Sequence, residues 1–217
     1  MVTGHGFAAA VLREVAMRIL VIVAAAICGA TLPVLHAQTP PPPRVWSVAD
    51  APAEFRYAIG RADLVIASLQ DALIRELSDT LKEGGPTSAV QSCHLDVIGL
   101  TQRIAREQGV AAGRTSDRLR SPTNAPRPWA AALVKTHAGR QAREVDGFVV
   151  NLGNTVGILR PIAHRPMCAS CHGPEAGLAP GVRAALHERY PTDRAVGFRE
   201  GEIRGWFWVE MPKVPRR

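Results

Sequence analysis

Residues 167 to 175 read MCASCHGPE, and within them Cys168, Cys171 and His172 set the tightest limit on what this chain can fold into. Two thiols three positions apart, with an imidazole directly after the second, must engage one object from one short stretch of backbone. Each thiol can add across a vinyl group of a haem, the two-residue gap matches the spacing of those vinyls on the macrocycle edge, and the next histidine reaches the iron. Two other chemistries use paired cysteines. A zinc site would need Cys93 with Cys168, Cys171 and His172, but the neighbours Cys171 and His172 would both have to bind one ion, and the chain has no second ligand pair. A thioredoxin-like dithiol sits between a strand and a helix, whereas Gly173-Pro174 blocks an immediate helix here. The motif therefore predicts one haem c per chain, covalent through Cys168 and Cys171, with His172 as an iron ligand.

Attachment of that kind is made outside the cytoplasm, and the start of the sequence agrees. Met17-Arg18 gives a basic lead, ILVIVAAAICGATLPVL an apolar stretch, and Leu35-His36-Ala37 a cleavage site before Gln38. Residues 1–37 read as a signal peptide whose true start is Met17, and the mature chain is expected in the periplasm. The competing reading is a retained anchor, but Pro33 interrupts the apolar run and leaves it short of a comfortable span, so no stable membrane span is expected after processing. A lipid-modified Cys28 is disfavoured by the bulky Ile27 before it. QTPPPPRV cannot form a helix, so residues 38–49 read as a stiff linker and 50–217 as one domain.

Loss of Cys28 with the signal leaves Cys93, Cys168 and Cys171, an odd number in an oxidising compartment. The formal charge of the whole chain is +7, and Arg103, Arg106, Arg114, Arg118, Arg120 and Arg127 concentrate it mid-chain. Nucleic acid is excluded as a target for an exported protein. An acidic partner, bound carboxylates or a solvated basic face remain.

Phe55, Ile59, Ala62, Ile66, Leu69, Leu73, Leu77 and Leu81 recur at steps of three and four until Gly84-Gly85-Pro86, which predicts a long amphipathic helix. A second helix is predicted from Thr87 or Ser88 to Gly109, with Val90, Cys93, Val97, Leu100 and Ile104 on one stripe. GRTSDRLRSPTNAPRP, 113–128, reads as a structured loop, and WAAALVKTHAG as a short helix with Pro128 in its first turn. Residues 143–164 carry two antiparallel strands around Asn-Leu-Gly-Asn, followed by the cysteine motif and a short helix near Val182 to Arg189. Arg-Glu-Gly-Glu, 199–202, reads as a hairpin turn between strands, with Ile203, Phe207, Val209 and Met211 on one face of the last strand. Helices first and strands afterwards indicate an α+β domain.

The candidates opposite His172 are Cys93, His94, Met167, His164 and Met211. Met167 abuts the motif and is badly placed to swing round the ring. Cys93 has the better case: it is the odd cysteine, it lies on an apolar helical stripe, and iron binding removes the hazard of an unpaired thiol. His94 is turned by about 100° from it around the helix axis. Arg114, directly after that helix, is the first choice as counter-charge to the haem propionates.

The helix bearing Cys93, GRTSDRLRSPTNAPRPW, Pro161-Ile162 leading into CASCHG, and GFREGEIRGWFWVEMP together resemble the periplasmic haem-c-binding domains with a PAS-like fold, over nearly the whole mature chain. The family reads R-N-P where this chain has Arg120-Ser121-Pro122, and an acidic residue where it has Ala130. The resemblance implies N-terminal helices followed by a PAS-like antiparallel sheet, and an axial pair matching His172 and Cys93. A non-enzymatic single-haem cytochrome for electron transfer or redox sensing is expected, with a redox partner protein for which an acidic surface is one option. A gas or small-ligand sensor in which Cys93 is displaced is the alternative, and a peroxidase lacks a distal His and Arg arrangement.

Overall fold

The computed structural model describes residues 43–213, with the side chains of 92–98 excepted. The signal peptide assigned to residues 1–37 lies outside the described residues, as does the start of the proline-rich linker. Strand β1 (Val45–Ser47) falls inside the stretch expected to be linker and pairs with β3 (Phe148–Asn151), so ordered structure begins before Asp50.

The two predicted helices run as one element, α1 (Arg56–Glu107), broken at Gly85, whose φ of 69° suits glycine alone. Helical backbone resumes at Pro86, where a missing N–H does no harm. The end is a Schellman closure: Gly109, with φ 64°, donates its N–H to the Arg106 carbonyl and Val110 to that of Ala105.

Strand β2 (Ala111–Thr115) follows at once, so Arg114 sits in a strand and not in the loop expected there. Helix α2 (Pro128–Thr136), β3, β4 (Thr155–Ala163), the single-turn helix α3 (Ala169–His172), α4 (Pro180–Arg189) and β5 (Ile203–Pro212) complete the described chain. The sheet is antiparallel in the order β1-β3-β4-β5-β2. The class is α+β, as expected. Among the described residues no helix is long and apolar enough to cross a membrane.

One face of the sheet is covered by the first arm of α1 and by Phe55 just before it, with Phe55, Ala62, Val65 and Leu69 packed on Val149, Ile158 and Val209. The other face carries α2, through Ala130 and Val134 on Leu159, Ile203 and Trp206. Ile203 was expected beside Phe207, Val209 and Met211, but it lies on the opposite face. The reason is a bulge: Ile162 pairs with Gly205 and Ala163 with Ile203, leaving Arg204 as an extra residue that reverses the alternation. Nor is Arg199–Glu202 a hairpin turn. It leads into β5 from the irregular segment 195–198, and β5 pairs instead with β4 and β2.

Candidate functional site

The apolar stripe of α1 does two jobs. Its first half is core, and its second half, Leu73, Leu77 and Leu81, forms a wall of a cavity of about 250 Å³, to which Ala89 and Val90 beyond the Gly85 break also contribute. Ile162 of β4 adds apolar surface. Cys168, Cys171 and His172 line the same cavity, so the structure brings the three motif residues together around one space. The two cysteines are free and half-buried.

The motif's local shape has a steric cause. Pro166–Cys168 form a tight turn that runs directly into α3, and Gly173 closes that turn by donating its N–H to the Ala169 carbonyl. A Cβ on Gly173 would stand 2.6 Å from the Ala169 oxygen, so only glycine fits there. The strip 195–198 then runs alongside: Gly197 donates to the Gly173 carbonyl and Phe198 to that of His172.

His172 is held by its ring as well as its backbone. Its Nδ1 lies 2.7 Å from the Ala195 carbonyl, which can only accept, so Nδ1 carries the proton. Burial pushes the imidazole well below the usual histidine range, and Arg204 and Arg120 push the same way. The neutral ring therefore presents Nε2 as a bare lone pair, the form in which histidine binds a metal. Asp193 accepts the Ala195 N–H at 2.7 Å and the Arg120 Nε at 2.9 Å, while Arg120 also donates to the carbonyls of Ala195 and Cys171. The peptide that orients His172 is thus clamped on both sides.

Charge in the cavity is one-sided among the described residues. Arg114, Arg118, Arg120 and Arg204 line it, and none of its described lining residues is acidic. Arg118 is engaged elsewhere: it bonds the buried Glu202 and the Val196 carbonyl and stacks 3.5 Å over the Phe198 ring. Among the other residues considered as iron ligands, Met167 lines the cavity with 42% of its surface exposed, whereas Met211 is buried in the core under α1. His164 is buried and stacked on Phe198, off the cavity wall. Cys93 and His94 belong to the second arm of α1, and their side chains lie outside the described residues.

Sequence reading missed Asp193 and Arg204 and left Arg120 as one arginine among six. The signals are nonlocal: Asp193 lies 73 residues from Arg120, and only the bulge places Arg204.

Residues 53–212 match the model of the Tll0287-like family. The chain belongs to the Tll0287-like family. Among solved structures it is similar to the cyanobacterial haem protein Tll0287, at 27% identity and a TM-score of 0.54, over 75% of this chain and 99% of that one. No curated protein matches. The matched span covers the helices, the whole motif segment and all of β5, so the Tll0287-like region contains every described site residue.

Proposed function

We propose that this Tll0287-like chain is an exported haem protein, non-enzymatic, carrying one haem c through thioether bonds from Cys168 and Cys171. The observation that carries the reading is the placement of both thiols and of His172, with its bare Nε2, on one cavity that Leu73, Leu77 and Leu81 also line. When bound, the haem supplies one-electron chemistry. His172 serves as one axial ligand, oriented through the Ala195 carbonyl. Cys93 serves as the other: it follows the cavity-lining Ala89 and Val90 at the helical intervals of four and three. A metal-bound thiol is deprotonated, and the resulting thiolate favours ferric iron and lowers the potential. Arg114 supplies counter-charge to a carboxylate edge.

Two protein ligands that stay in place suit electron transfer or redox sensing in the periplasm, with a partner protein that is acidic enough to meet the basic surface. Support comes from the family membership and from the similarity to a solved haem protein. Serine at both Cys168 and Cys171 is expected to abolish haem staining after denaturing electrophoresis, and a band that persists would refute covalent attachment. Cys93→Ala is expected to raise the midpoint potential and to move the ferric electron paramagnetic resonance spectrum from low-spin to high-spin or water-bound, with His94→Ala leaving it unchanged. A bis-histidine spectrum in the wild type assigns the site to His94 instead. Carbon monoxide binding to the reduced wild type would show Cys93 to be displaceable and favour the sensing alternative.

A further inference from the structure

Arg204 is the one residue of β5 that the sheet does not account for. It is the extra residue of the bulge opposite Ile162 and Ala163, and a bulge re-aims a side chain that regular alternation would place elsewhere. Its backbone is fixed by Ser116, whose hydroxyl donates to the Arg204 carbonyl at 2.8 Å. The side chain lines the cavity, and its Nε is buried with no hydrogen-bond partner. No carboxylate among the described residues forms a salt bridge with it, in contrast to Arg118 with Glu202 and Arg120 with Asp193.

A guanidinium in that position is costly unless an anion meets it, because the charge is desolvated and its Nε donor has no partner. Burial pulls its pKa below the usual arginine range; the neighbouring Cys168 sulfur opposes this and Arg120 adds to it. A thiol is a weak acceptor and leaves the planar fork of donors mostly unused. The unmet partner must therefore be anionic, compact and able to enter from the cavity. A planar carboxylate fits the fork with two parallel bonds.

We propose that Arg204 is a carboxylate-binding residue of the cavity and that its partner is a propionate of the bound haem. This rests on the haem reading above. It assigns the principal anchor to Arg204 on the interior strand β5, with Arg114 on the adjacent edge strand β2 in a supporting place. Arg204 also neighbours Cys168, so the same residue that meets the carboxylate lies beside an attachment thiol.

The test uses the full, haem-loaded chain and compares wild type with Arg204→Leu, Arg204→Lys and Arg127→Leu. Arg127 is bound to Glu210 and does not line the cavity, so it reports the generic effect of removing an arginine. The readouts are the propionate bending bands in the resonance Raman spectrum and the midpoint potential. Arg204→Leu is expected to displace the bands and lower the potential, since removing a nearby cation favours ferric iron. Arg204→Lys is expected to keep most of the potential and still displace the bands, because a point charge cannot reproduce the bidentate fork. Arg127→Leu should move neither. Unmoved bands in a loaded Arg204→Leu overturn the proposal and leave the haem reading standing. If Arg204→Leu fails to load, Arg204→Lys decides: displaced bands support the assignment and unmoved bands overturn it. Absence of haem from the wild type overturns both.

Discussion

The two halves of the α1 stripe face different environments. Phe55, Ala62, Val65 and Leu69 meet the sheet with almost no exposed surface, and the polar groups near that interface have partners, as in Arg160 with Asp63 at 2.7 and 2.8 Å. Leu73, Leu77 and Leu81 face the cavity, which among the described residues has four lining arginines, no acidic lining residue and a buried guanidinium nitrogen with no acceptor. The first interface is complete as a protein interior. On the haem reading proposed above, the second is completed by the group it binds. Stability of the fold is thus expected to reside at the sheet, while the cavity holds conformation in reserve for what it binds.

The sharpest way to break that comparison is to damage the complete half. Leu69→Ala removes a side chain with no exposed surface and leaves a cavity that the rigid sheet cannot refill. The expected loss is about 2–5 kcal/mol. By thermal unfolding that loss should be the same in the haem-loaded chain and in the unloaded form obtained with serine at Cys168 and Cys171. A loss confined to one form would mean that the two halves are coupled and the division is false.

What the sequence disclosed follows the same division. Steps of three and four from Phe55 to Leu81 mark α1, and Gly84-Gly85-Pro86 marks its break, because both signals are written within a few neighbouring residues. β3 and β4 were legible from their β-branched runs. β2 was not: Ala111-Ala112-Gly113 has no strand preference, and it becomes a strand because β5 pairs with it and the Trp208 ring lies within 2.7 Å of where a Gly113 Cβ would stand. β1 is three residues long and follows a proline run that hid it. At the site, Cys168, Cys171 and His172 were legible as a cluster because they stand within five residues of one another, and the structure sets all three on one cavity. The residues that orient them were not, since Arg120, Asp193 and Ala195 meet only through the tertiary fold, and Arg204 is placed by a bulge that no alternation pattern encodes.

A smaller effect tests the unfinished half. Asp193 ties Arg120 to the peptide that orients His172, and its side chain is 7% exposed. Asp193→Asn keeps the shape and removes the charge, so Arg120 is left partly uncompensated. About 1–3 kcal/mol of stability is expected to be lost. Unlike Leu69→Ala, this change should act differently in the two forms, because ligation by His172 restrains the same peptide. The loaded variant should also show a weaker axial bond, seen as a high-spin fraction in the ferric absorption spectrum. A fully low-spin spectrum together with equal losses in both forms would remove Asp193 from the group that positions His172.

The smallest effect belongs to an ion pair on the far side of the sheet, where the comparison predicts indifference to the cavity. Burial pushes the Glu210 carboxyl up, but hydrogen bonds from Arg127 at 2.7 and 3.0 Å and from Trp129 at 2.5 Å, with the charge of Arg127, outweigh it and hold the group below the usual glutamate range. A carboxyl depressed in the folded state contributes stability that is fully present above its unfolded-state pKa and is lost as pH falls through the folded value. Arg127 is nearly half exposed, so water and salt screen much of the attraction and the contribution is modest. Glu210→Gln should therefore flatten the acid limb of a stability-against-pH profile without changing its neutral plateau by more than a small amount. The flattening should be equal in the loaded and unloaded forms, since neither Arg127 nor Glu210 lines the cavity. A slope that changes with loading would mean that charge on the far face of β5 is felt at Arg204 through the strand they share, and would place Glu210 in the electrostatic surroundings of the site.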